Sequence, residues 1–200
     1  MDAGLGCPDW PGCYGFAIFP MSEAEIAQAN ELYPERKFEL EKAVPEVVHR
    51  YFAGFLGLLI IGLFGLSLYL KPFNSLVTKL TGALVLLVLA QSTFGYLTVS
   101  LKLWPHVVTM HLLGGFATTT LLFLTYMKLK DLDTGSSNSL MISKRSSNLL
   151  NFAFPVLIAQ IILGVWLSSN YAAFACPDFP LCQGQILPDT NFQMGFNFMQ

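Results

Sequence analysis

Charge is what this sequence has least of. Lys, Arg, Asp and Glu make up 12% of its 200 residues, against about 25% in an ordinary soluble domain. Hydrophobic residues make up 54%, so the chain reads as a membrane protein. Basic residues are not in excess, the net charge being -2, and none cluster among aromatics, which excludes a nucleic-acid surface. The N-terminus has no basic stretch followed by a short apolar run, so no signal peptide is expected. Histidine is confined to three positions and cysteine to four, which makes each of them informative.

Long apolar runs, by contrast, are plentiful. A helix needs roughly 20 apolar residues to cross a bilayer, and four stretches qualify: Val47–Leu70, Leu76–Val99, Val107–Met127 and Leu149–Leu167. Arg50 lies at the edge of the first, and Lys79 lies near the start of the second, where it can reach the headgroups. A Pro-containing turn, KPFNS, joins the first two, and a polar Ser- and Gly-rich linker follows the third. The expected fold class is an all-α membrane protein with four transmembrane helices in an antiparallel bundle.

Charge then suggests an orientation. With the turn at Lys71 and the linker at 128–148 on the cytoplasmic side, that side carries Lys71, Lys79, Lys128, Lys130, Lys144 and Arg145, most of them in short segments near helix ends. Acidic residues fall mostly on the other face. The stretch from Glu23 to Glu41 either contacts a partner or is a solvated loop, and its charge pattern favours the solvated reading. Both chain ends are then expected outside.

On that outer face lie two similar strings, CPDWPGC at Cys7–Cys13 and CPDFPLC at Cys176–Cys182. In an oxidising compartment each pair can close a small local disulfide, helped by the prolines that bend the chain. A structural staple, a redox or site-shaping role, and metal binding all remain open. The short loop limits the entropic gain of a staple, and neither loop adds a His or has the usual zinc spacing. The repeat reaches into the spans: Gln91 with Gly95 and Ser100 is echoed by Gln160 with Gly164 and Ser169. The offsets of the two repeats differ, so this is no solenoid; it resembles a duplicated membrane bundle out of register, one copy mostly present and the second expected to be only begun.

His49 opens the first span within EVVHR, and His111 lies one turn into the third, followed by LLGG. A His inside a bilayer segment is costly and usually faces the bundle interior. Two of them on different spans at matching depth fit a haem iron held between facing helices. Gly54, Gly57, Gly114 and Gly115 leave bare backbone that a flat macrocycle could approach, or serve plain helix packing. His106 is turned about 140° from His111 on a helix and reads as interfacial, beside Trp104. Glu46 shares the face and depth of His49; it can orient the imidazole, accept protons, or pair with Arg50.

These residues carry a family resemblance. GLGCPDWPGCYG, ExxHR at Glu46–Arg50, His111-LLGG and SSNYAAFACPDFPLCQGQ resemble the haem A synthase family over nearly the whole chain, apart from the acidic insertion at 22–42 and the linker. The resemblance implies two fused four-helix bundles, eight helices in all. The first would oxidise a ring methyl of haem O to the formyl group of haem A, with oxygen from water, and the second would hold haem b. It makes Glu46 the essential carboxylate, His49 and His111 the haem-facing, iron-ligating pair, and Cys7 with Cys13 and Cys176 with Cys182 the outer cysteine pairs of the two bundles.

In that frame residues 1–46 are an extracytoplasmic Cys loop and acidic insertion, 47–127 three spans of the first bundle, and 128–148 a cytoplasmic linker. Residues 149–200 begin an incomplete second bundle. Members normally start with a span before the first Cys loop and continue with three more after the second, so the chain is expected to be truncated at both ends. The implied setting is multi-pass in the bacterial inner membrane, in contact with lipid, with the Cys loops periplasmic. The implied partners are haem O synthase (protohaem farnesyltransferase), cytochrome oxidase assembly factors and further copies of the chain. Two rival classes stand beside this: a quinone-linked thiol-disulfide oxidoreductase, disfavoured because redox pairs tend towards CxxC spacing, and a non-enzymatic haem-binding assembly subunit.

Overall fold

The computed structural model describes residues 6–70, 75–135 and 143–170, together with 178, 181, 182 and 184–186. The described residues form helices and no strand: α1 (Glu23–Leu32), α2 (Leu40–Tyr69), α3 (Ser75–Ser100), α4 (Pro105–Thr134) and α5 (Lys144–Ser169). The last four are long and apolar enough to cross a membrane. The chain is an all-α membrane protein, and each expected span is helical.

The helices outrun the apolar stretches that announce them. At 1.5 Å per residue, the 30 residues of α2 are longer than a hydrocarbon core about 30 Å thick requires. Its first turns, Leu40 to Glu46, therefore project into the outer layer. At the other end of the bundle α4 continues through Lys128, Lys130 and Asp131 to Thr134, and Gly135 closes it in the left-handed conformation at φ 62°. The connection before α5 is thus shorter than the expected linker, because charged residues continue a helix as readily as apolar ones once it leaves the lipid. Pro105 occupies the first position of α4, where its missing N–H costs nothing.

Sequence neighbours pack together: α2 with α3, α3 with α4, and α4 with α5. No lipid-driven hydrophobic force holds such helices, so small residues and polar contacts matter more. Between α2 and α3, the Ser67 and Thr81 hydroxyls lie 3.1 Å apart, and Phe64 covers the backbone at Gly82. Several threonines within the spans return their hydroxyls to the preceding turn, as Thr118 does to Gly114 and Thr125 to Leu121, so that those donors are met within the helix.

Outside the spans the sequence expectation needs correction. The acidic stretch is not a solvated loop: Ser22 and Glu25 form a capping box that starts α1, and Ala29 on that helix is fully buried. It packs with Cys7, Cys13, Tyr14, Ala43 and Val47 in the largest buried core, with Phe16, Phe19, Tyr33 and Phe38 around it. Tyr14 stands edge to face against Tyr33 and Phe38, with centroids 5.5 and 5.4 Å apart, and donates its hydroxyl to the Lys37 carbonyl. Glu23, Glu31, Glu35, Glu39 and Glu41 are exposed, so the charge pattern told where the side chains point and nothing about the backbone beneath them. Water drives this core, each fully buried large side chain contributing roughly 1.5–3 kcal/mol. The cap roofs the outer end of α2.

Candidate functional site

Three residues of one α2 face, Glu46, His49 and Arg50, meet the cap from below. The Glu46 carboxylate is buried. Its Oε2 accepts the main-chain N–H groups of Gly6 at 2.8 Å and Cys7 at 3.2 Å, and its Oε1 accepts from Arg50 Nη2. The other guanidinium nitrogen of Arg50 donates to the carbonyls of Asp9 at 3.0 Å, Pro11 at 3.3 Å, and Gly12. Such charge-assisted bonds are the stronger kind. Of the roles open to Glu46, the ion pair with Arg50 is present, and loop anchoring, which the spacing did not announce, is present as well.

The loop itself is closed by a Cys7–Cys13 disulfide with both cysteines fully buried. Asp9 folds its carboxylate back onto the N–H groups of Tyr14 at 2.6 Å and Gly15 at 2.8 Å. Tyr14 and Gly15 both have positive φ, and Cys13 and Phe16 exchange main-chain hydrogen bonds across them, the pattern of a tight hairpin turn. Glycine is obligatory elsewhere for space: a Cβ on Gly6 would lie 2.2 Å from the Lys42 carbonyl oxygen, and one on Gly12 would lie 2.4 Å from that of Phe16. Trp10 rests edge-on against Tyr96 at the end of α3, 5.9 Å away, and Tyr51 donates to the Ala17 carbonyl. Because both sulfurs of the pair are bonded to each other, neither is a thiolate ligand, and the metal reading of this loop falls.

The described part of the second loop repeats the first. Cys182 and Gln185 exchange main-chain hydrogen bonds, Asp178 accepts the Gly184 N–H at 2.7 Å, and Gly184 has φ 77° against 81° for Gly15. Cys182 is disulfide-bonded; Cys176 lies outside the described residues. The aspartate of each loop holds its turn together and was missed by cysteine counting, although CPDxPxC displays it in both copies with a glycine six places on.

One turn below Glu46, His49 faces His111 of α4 edge to face, with ring centroids 6.3 Å apart and planes at 89°. His49 is exposed and His111 half-buried. His111 packs on the bare backbone of Gly95, 3.4 Å from where a Cβ would stand, and its Nδ1 is buried with no hydrogen-bond partner. The Gln91 side chain fills the notch at Gly114, where a Cβ would come within 1.6 Å of its Nε2. α3 and α4 therefore interlock, Gln91 over Gly114 and His111 over Gly95. His106 stands apart from this pair, 5.5 Å from Trp104.

The glycines divide between the two roles expected of them. Gly54 and Gly115 have open space where a Cβ would go, as a flat ligand would need, but Gly57 abuts Val88 and Gly114 is taken by Gln91. Two of the four serve helix packing instead, which small residues in spans commonly do.

The described residues thus form a membrane helix bundle with facing histidines under a disulfide-closed cap that grips a buried carboxylate. The chain belongs to the COX15-CtaA family, described as cytochrome oxidase assembly protein, which matches residues 1–200. It is similar to the Heme A synthase of Shewanella oneidensis, 44% identical over 183 residues covering 92% of this chain and 54% of that protein. It is also similar to the Heme A synthase of Halalkalibacterium halodurans, 25% identical over 202 residues covering 98% and 61%. The chain thus spans little more than half the length of the curated relatives it matches. No solved structure matches it.

Proposed function

We propose that this chain forms the haem O-oxidising half of a haem A synthase, converting a ring methyl to the formyl group of haem A for cytochrome oxidase assembly. The facing pair His49 and His111 carries the reading. Two imidazoles bound to one metal ion need about 2.0–2.1 Å from metal to each nitrogen, and adding the half-width of each ring puts their centroids roughly 6 Å apart. The observed 6.3 Å matches that separation, and the Nδ1 of His111 has no hydrogen-bond partner. The open backbone at Gly54 and Gly115 gives a planar substrate room.

Within this reading His49 and His111 hold the substrate iron, and the porphyrin supplies the electron path from its own oxidised methyl. With water as the oxygen source the conversion releases four protons and four electrons, which an external acceptor must take. Glu46 is the acid–base group. Its Oε2 accepts two main-chain N–H groups, while Oε1 accepts from Arg50 and, among the described residues, keeps a lone pair free for a proton. The haem b that the family resemblance implies finds no second histidine pair here, the remaining histidine being His106, so no step is assigned to it.

The Cys loops belong on the periplasmic side of a bacterial inner membrane in this reading, since a disulfide persists in an oxidising compartment. Haem O synthase is the natural donor of substrate and oxidase assembly factors the natural recipients of product, with further copies of the chain as possible neighbours in the bilayer. A thiol-disulfide relay is disfavoured because exchange requires access to sulfur, and Cys7 and Cys13 are fully buried.

The test is pigment analysis of membranes expressing the complete polypeptide. Haem O consumed and haem A formed supports the reading, with His49→Ala and His111→Ala abolishing both the paired-histidine absorption spectrum and product. Haem A formation at the normal rate in both variants overturns it.

A further inference from the structure

The mechanism above gives roles to Glu46, His49 and His111 and treats Arg50 only as a donor to Oε1, yet its guanidinium makes more contacts than that role needs. Its guanidinium touches a carboxylate and three main-chain carbonyls at once, with the side chain largely buried at 15% exposure. An ordinary i,i+4 pair on a helix contributes only about 0.2–0.5 kcal/mol and asks for nothing beyond opposite charge. A lysine would supply that. What a lysine lacks is the planar fork that can send one nitrogen to a carboxylate and the other to a separate group of carbonyls.

Those carbonyls are presented by the same loop that grips the other carboxylate oxygen. Gly6 and Cys7 donate to Oε2 from the start of the loop. Asp9, Pro11 and Gly12 accept from Arg50 within it. The disulfide and the Asp9 turn fix the distance between the two ends. The result is a closed ring of contacts, from Glu46 to Arg50, through the loop carbonyls and the Cys7 amide, back to Glu46.

We propose that Arg50 is the positioning residue for Glu46, fixing Oε1 and registering the carboxylate against the disulfide-closed loop. The proposal rests on the reading of Glu46 as the acid–base group. It makes the Cys loop a template for one carboxylate, with the staple serving geometry more than stability. A displacement of a reacting group by about 1 Å costs on the order of a hundredfold in rate, so a swap that keeps charge but loses the fork should be felt in turnover.

The experiment compares wild type, Arg50→Lys and Glu46→Gln in the complete polypeptide, in membranes. It measures kcat and KM for haem O, the reduced-minus-oxidised spectrum, and labelling of Cys7 and Cys13 by a thiol reagent under denaturing conditions. For Arg50→Lys the expected result is kcat lowered by about tenfold or more, KM within about twofold, an unchanged spectrum and no labelled thiol. Wild-type kcat in Arg50→Lys with an inactive Glu46→Gln overturns the proposal while leaving the function standing. Lost spectrum or newly labelled thiols in Arg50→Lys also overturns it, by making Arg50 a purely structural support. Wild-type kcat in Glu46→Gln removes the acid–base reading itself, and the positioning role with it.

Discussion

His49 on α2 and His111 on α4 stand edge to face with 6.3 Å between ring centroids, although the helix that each of them packs on is α3. His111 sits half-buried in the α3–α4 seam against Gly95, while His49 is exposed. Replacing either ring by Ala removes one half of the facing pair without cutting a hydrogen bond at the His111 Nδ1, which has none. Haem occupancy in purified protein should fall by at least about tenfold, or about 1.4 kcal/mol, with helix content unchanged. Absorption spectroscopy and far-ultraviolet circular dichroism on the same samples check both halves of the statement.

Gly6→Ala should be among the most damaging small substitutions in the chain. The added methyl would lie 2.2 Å from the Lys42 carbonyl oxygen and 2.4 Å from its carbon, both main-chain atoms that cannot step aside. Relief requires moving the Gly6 and Cys7 amides away from Glu46, leaving a buried carboxylate short of donors, which costs about 1–3 kcal/mol or more for a charged group. Thermal unfolding in detergent should shift down accordingly. An unchanged transition would contradict the close approach.

Gly115 offers the opposite case, because open space surrounds it and it sits one turn beyond His111 on the same face. Gly115→Ala should leave expression and helix content unaltered. Gly115→Leu should also fold, yet lower haem occupancy several-fold if a macrocycle lies against this face. Equal haem content in the two variants would move the ligand elsewhere.

The capping box gives the cap an acid-sensitive element. Main-chain N–H groups of Met21 and then Ser22, together with the Ser22 hydroxyl, hold the Glu25 carboxyl below its ordinary range. A lowered folded value means the contribution is present above the unfolded carboxylate range and is lost as pH falls through the folded value, so below about pH 4. Hydrogen exchange of the α1 amides, corrected for intrinsic rate, should show less protection at pH 3 than at pH 6. Glu25→Gln should remove that difference, and Ser22→Ala should cost the helix about 1 kcal/mol at neutral pH.

How much of this was legible beforehand varies by element. The spans were, because a lipid environment demands continuous apolar helix and leaves no other reading of Leu76–Val99. His49 and His111 were singled out as a pair because histidine is scarce and costly in lipid. Arg50 was seen as a partner of Glu46, since i,i+4 spacing on a helix is a local fact. That its other nitrogen reaches Asp9, Pro11 and Gly12 was not, because those contacts bridge some forty positions of sequence. The acidic stretch was misread for a related reason: exposed glutamates report on one face of α1, while the buried Ala29 that docks it is too small and common a residue to signal a core.

By itself, then, the sequence determined the environment, the number of crossings in this stretch, the duplicated cysteine loops and the titratable groups available, because composition, length and spacing act locally along the chain. Only the tertiary structure decided that Gly57 and Gly114 are filled while Gly54 and Gly115 stay open, that Gln91 and His111 interlock with Gly114 and Gly95, and that Glu46 is gripped from two sides by the first Cys loop. Each of those depends on which atoms occupy the space beside a residue, and that is settled by the packing of segments far apart in the chain.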